Sequence, residues 1–210
     1  MFPILFSFLF LPFLNTQKQP VDSSKVLAAH EFSLEKRYSN SYVNDVFKDN
    51  ILLTLAYTEG EKVNPENPDW TKLEKPFLFK LSLKPGETFA FHNDVLPAYE
   101  GKITKTTNSD FSSDEGFKGD GYLVGDGVCH LASLMYWVAK DAGLDAVAPT
   151  RHDFAPVPEV PREFGTAIYF FGGKSQTNEL QNLYVRNNQN KDISFLFDYN
   201  GTDLKISVVE

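Results

Sequence analysis

The stretch GDGVCHLASLMYWVAKDAGL, residues 125–144, decides how the rest of the chain is read. Two glycines flank an aspartate, an apolar run at helical spacing follows, and Gly143 ends it. The pattern predicts a helix over residues 128–142. On that spacing Leu131, Leu134, Met135 and Val138 pack the helix down, while Cys129, Ala132, Ser133 and Tyr136 share the adjoining face. Cys129, the only cysteine in 210 residues, then stands in the first turn. Unpaired N–H groups and the positive end of the helix dipole favour a thiolate there, and the same groups suit an oxyanion. Lone cysteines are more often small buried hydrophobes, so a reactive Cys129 needs a base.

Three histidines are candidates for that base. His130 is adjacent in sequence but points about 100° away on a helix. His152, in PTRHDF, lies on the stretch leaving the helix, and His92, in FAFHND, ends a strand. Arg151 or Asp153 would orient the base or hold a substrate carboxylate. A zinc site would draw on the same Cys129, His130, His152 and His92, without C-x-x-C, H-x-x-x-H or H-E-x-x-H spacing behind it. The acids Asp110, Asp114, Glu115, Asp120 and Asp126 lack the spacing of a calcium loop and read as a solvated loop.

With 42% hydrophobic and 23% charged residues, the composition is that of one globular domain. A net charge of −8 and no Lys/Arg cluster exclude a nucleic-acid partner, which requires a basic patch. FPILFSFLFLPFL, within residues 1–14, is too short to span a bilayer, which takes ~20 residues, and matches the core of a secretory signal. It predicts export to the cell envelope or beyond, with peripheral membrane attachment as an option. Residues 15–32 read as a linker and 33–210 as the folded domain.

Within that domain a helix is expected over 42–58, stopped by Gly60, then a proline-rich loop over 61–76. Residues 77–91 alternate as strands broken at Pro85-Gly86, and 97–127 lack periodicity. TAIYFF, NLYVRN, ISFLFDY and LKISVVE read as strands, with Asn200-Gly201 as a hairpin turn between the last two. The order predicts an α+β fold: a mainly antiparallel sheet packed with a few helices, the cysteine at the N-terminus of the central one.

Several of these segments resemble the VanW domain family. LKPGETFAFHN (83–93) is similar to its PGE-x-FSFN segment, and the quoted cysteine helix to its GGG-x-CQ segment. PTRHDFAPVPEVPREFGTAIYF (149–170) resembles its R-x-HS stretch, and the last strands resemble its closing strands. The resemblance implies a bacterial cell-envelope protein acting on peptidoglycan stem peptides. The family is associated with vancomycin resistance, and some members are described as L,D-transpeptidases. It implies Cys129 as the nucleophile forming a thioester, with His152 and Arg151 as catalytic partners; His130 is a further catalytic candidate from its place beside the cysteine. Gly125, Asp126, Gly127, Asn93, His92, Asp153 and Tyr136 would form the substrate site, with no cofactor. Gly86, Glu87 and Phe89 match the PGE segment, and either Gly116-Phe117 or Gly121-Tyr122 an upstream Gly-Tyr pair.

The chain also departs from that pattern. Asp126 replaces a glycine, His130 a glutamine, Asp153 a serine and Thr166 an aspartate. Asp126 places negative charge where an anion would sit. A non-catalytic module binding a wall peptide or partner therefore stands beside the enzyme reading.

Overall fold

The computed structural model describes residues 25–121 and 125–210. The signal-like segment 1–14 and the first part of the expected linker lie outside them. The helix expected over 42–58 is α1, Ser41–Glu59. It begins where the Asn40 side chain accepts the Tyr42 N–H and ends where Gly60 turns left-handed at φ 88°. From Asn50 to Ala56 every side chain is buried, so this half of α1 runs through the interior rather than along the surface.

The quoted stretch forms α3, Val128–Asp141, which packs on α1. Beneath them lies a sheet in the order β1-β8-β7-β2, made of β1 (Val26–Ser33), β8 (Asp203–Val209), β7 (Ile193–Tyr199) and β2 (Phe77–Leu83). All its pairings are antiparallel. Alternation along β7 points Ile193, Phe195, Phe197 and Tyr199 inward, with Leu204, Ile206 and Val208 beside them on β8. Phe79 and Phe197, directly opposite in register, stack at 5.5 Å. Ile51, Leu52, Leu131, Leu134 and Val138 complete this core, each contributing about 1.5–3 kcal/mol by burial.

A second sheet, in the order β4-β3-β6-β5, contains β3 (Thr88–Ala90), β4 (Ile103–Lys105), β5 (Asp145–Val147) and β6 (Tyr184–Arg186). Only β3 and β4 run parallel. Two short helices, α2 (Trp70–Leu73) and α4 (Gln176–Leu180), lie in connections. The fold is α+β, mostly antiparallel, with Cys129 in the first turn of α3, as expected. Among the described residues no helix is long and apolar enough to cross a membrane.

Two expectations are corrected. Residues 26–32, read as linker, form most of β1, because Phe32 is buried and His30 stacks on Trp137 at 3.6 Å. Strands β2 and β3 are broken at Pro85-Gly86 as expected, and the turn sends them into different sheets. TAIYFF is extended but is not a ladder strand, because its N–H groups go to unlike partners. Thr166 and Ile168 donate to side chains of α3, whereas Ala167 and Tyr169 donate to the carbonyls of Thr150 and Gln181.

Candidate functional site

The approach to α3 is built on two left-handed glycines, Gly125 at φ 86° and Gly127 at φ 98°. A methyl at Gly127 would lie 2.6 Å from the Phe47 carbonyl oxygen, so the first turn of α3 is pressed against the backbone of α1. Asn50, fully buried on α1, ties the loop before α3 in place. Its amide donates to the carbonyls of Lys118 (2.9 Å) and Asp126 (2.8 Å) and accepts the Lys118 N–H (2.9 Å). Asn50→Ala strands three buried backbone groups and is expected to cost about 2–4 kcal/mol, read as a lowered urea midpoint.

Asp126 is tied into its own loop. Its carboxylate accepts the Asp120 N–H at 3.0 Å, and burial raises its pKa, with the neighbouring Asp120 charge acting the same way.

The Cys129 sulfur accepts the Ile168 N–H at 3.3 Å and donates to the Ile168 carbonyl at 3.5 Å. One turn on, Ser133 donates to the Cys129 carbonyl (2.7 Å) and accepts the Thr166 N–H (2.9 Å). Cys129 and Ser133 together thus replace a neighbouring strand for residues 166 and 168. Cys129 as a residue is half-buried, but its sulfur is enclosed by protein, and the sulfur's surroundings set its proton affinity. Burial pushes the thiol from its ordinary 9.0 to about 11; the Ile168 N–H pulls the other way and Asp126 adds to the rise. Two units disfavour the thiolate by about 3 kcal/mol, more than the roughly 0.3–1 kcal/mol that a helix end supplies. Burial thus acts against the thiolate that the helix end favours.

His130 turns away from the sulfur. Its Nδ1 accepts from Arg37 Nε at 3.0 Å, which fixes the other nitrogen as the N–H facing the Tyr38 hydroxyl at 3.3 Å. Burial first, then the Arg37 charge and His152, hold its pKa well below 6.5. Arg37 is enclosed and also donates to the carbonyls of Ser33 and Pro158, both at 3.1 Å.

His152 is buried, with Nδ1 donating to the Ala155 carbonyl at 2.8 Å, so Nε2 carries the lone pair. Its backbone N–H donates to Gly165, whereas Cys129 bonds Ile168, three positions along the same extended segment. At about 3.3 Å per residue that separates their anchor points by about 10 Å. Among the described residues no imidazole hydrogen-bonds the sulfur.

The remaining expected residues are dispersed. Arg151 is exposed and bridged to Thr166 through its backbone; Asp153 is exposed, its carbonyl accepting from Arg162 at 3.1 Å. His92 is buried elsewhere, at the Gln181 carbonyl (3.1 Å), and burial lowers its pKa. Asn93 is exposed beside a depression lined by Lys105 and Thr106. Tyr136 packs edge-on to Phe164 at 5.8 Å. Glu87 closes its own turn by accepting the Lys84 N–H, and Phe89 is core. Gly116 is left-handed at φ 89°, Phe117 is buried, and Tyr122 lies outside the described residues. No group of three or more His, Cys, Asp or Glu among the described residues is arranged to hold a metal ion, so the zinc reading finds no ligand set. Arg37, Tyr38, Asn50 and Ser133 carry the local architecture without having been singled out for it; only the helical face shared by Ser133 and Cys129 hinted at a joint role.

Fold and site define an α+β protein with one enclosed thiol in the first turn of its central helix. A family model described as VanW like protein matches residues 76–209, more than half of the chain, and the chain belongs to that family. No curated protein and no solved structure matches it. Membership supports a role at the cell envelope, in association with peptidoglycan.

Proposed function

We propose that the protein is exported and engages peptidoglycan stem peptides at the cell envelope, holding a wall peptide without forming a covalent bond to it. The observation that carries this reading is the Cys129 thiol, protonated by burial and bonded on both sides to the backbone of Ile168. That is the bonding of a packing residue. The departures from the family pattern agree with it: Asp126 is bonded to its own loop and His130 to Arg37.

The thiol is expected to react with an alkylating reagent about 100-fold more slowly in the native protein than in urea, as two units of proton affinity dictate. Comparable rates would remove the enclosed sulfur from the argument. Incubation with muropeptides, followed by mass analysis, should recover bound peptide of unchanged mass. Cys129→Ser should bind equally well.

A second reading is acyl transfer at Cys129, favoured by its place in the first turn of α3 and by His152, whose Nδ1 is committed to Ala155 and whose Nε2 is left for a proton. Sγ would add to a stem-peptide carbonyl and pass its proton to His152. A D-amino acid would then leave with that proton, and an amine or water would resolve the thioester. This path requires the sulfur to leave Ile168. A cross-linked or trimmed product that Cys129→Ser does not make would establish it in place of the first.

A further inference from the structure

The register of the second sheet places three side chains of contrasting chemistry in one row. Thr88 on β3 is opposite Arg186 on β6, and Arg186 is opposite Asp145 on β5. Directly opposed residues project from the same face with their Cβ atoms about 5 Å apart, close enough for an arginine and an aspartate to pair. Here they do not: among the described residues neither Arg186 nor Asp145 has an ion-pair partner or a side-chain hydrogen bond. Both instead line a cavity of about 470 Å³ with Gly86, Thr88, Tyr99 and Lys102. Lys102 spends one N–H on the Ala98 carbonyl (2.8 Å), leaving two for a ligand. Tyr99 stacks on Tyr184 at 4.1 Å and forms a firm aromatic wall.

Two cations and one anion held apart around a cavity match a ligand that carries both charges close together. We infer that this cavity binds the charged end of an amino acid, its carboxylate between Arg186 and Lys102 and its ammonium on Asp145. Arginine suits a carboxylate because its fork engages both oxygens. The opposed Asp145 supplies the counter-charge that a simple carboxylate could not use. In a protein of net charge −8, two cations lining one cavity also run against the general field.

The site is separate from Cys129, and the inference does not rest on the wall-peptide reading. The test is calorimetric titration of the full chain with D-alanine, and with propionate and ethylamine as its two halves. D-alanine should bind more tightly than either half. Arg186→Gln should weaken D-alanine and propionate about tenfold or more, a loss of about 1.4 kcal/mol in binding. Asp145→Asn should weaken D-alanine to a similar extent and leave propionate unchanged or tighter. Both positions are exposed, so unchanged thermal transitions will show that the variants fold. No binding of D-alanine, or binding by both variants as tight as by the unaltered protein, overturns the inference. A protein that binds D-alanine here but no muropeptide keeps this site and loses the wall-peptide reading.

Discussion

Gly127→Ala is expected to destabilise the protein by about 3–5 kcal/mol, summing backbone strain and overpacking at a site that cannot relax. The new methyl would sit 2.6 Å from the Phe47 carbonyl oxygen and 3.0 Å from the Phe47 Cα, against main chain rather than a movable side chain. At φ 98° any side chain is also strained. Against a total stability of about 5–15 kcal/mol, the loss approaches the margin for folding. Gly125→Ala provides the comparison: its methyl meets the Phe111 carbonyl at 3.2 Å and has slightly more room, so about 1–3 kcal/mol is expected. Urea unfolding of both variants checks the order. Equal, small losses would mean that α1 and the start of α3 are not in backbone contact.

Acid should destabilise the protein below pH 6.5, before its carboxylates protonate. His130 and His92 are both buried with lowered pKa values, His130 well below the usual range, so the folded chain takes up their protons at lower pH than the unfolded chain, which does so at about 6.5. Stability is fully present above 6.5 and falls as pH drops, by about 1.4 kcal/mol per pH unit for each histidine. Asp49 and Asp126 act in the opposite sense, since burial raises their pKa and the folded chain binds those protons first; their effect belongs nearer 3.8 and above it. Urea titrations at pH 7.5, 6.5 and 5.5 should show a small change over the first interval and about 1–2 kcal/mol lost over the second. His130→Gln keeps an acceptor for Arg37 at every pH and should halve the slope. A profile flat to 5.5 would mean that neither histidine is held below its unfolded pKa, and that His130 Nδ1 is not committed to Arg37.

What the sequence discloses depends on how local the cause is. Helix α3 was legible because its apolar spacing and Gly143 lie in one window, and α1 because Gly60 ends it. The β7–β8 turn was legible because Asn200 bonds its own loop, accepting the N–H groups of Thr202 and Asp203. Strand β1 was not, because an edge strand with one half-exposed face has a weak apolar signal. The surroundings of Cys129 are not legible for a related reason. The helix dipole is visible from residues 125–129, but the enclosing partner, Ile168, is 39 positions away. The same holds for His130, whose lone pair is committed to an arginine 93 positions upstream.

Strand β1 lies beside β8, so the first strand described is neighbour to the last, and the Glu210 N–H donates to the Lys25 carbonyl where they meet. The recognisable span, residues 76–209, therefore contains less than the folding unit. A fragment trimmed to that span would bare the β8 backbone along its whole length, next to the row Leu204, Ile206 and Val208, and offer it to any second copy as a template for association. Dissection of this protein for expression has to start upstream of Val26.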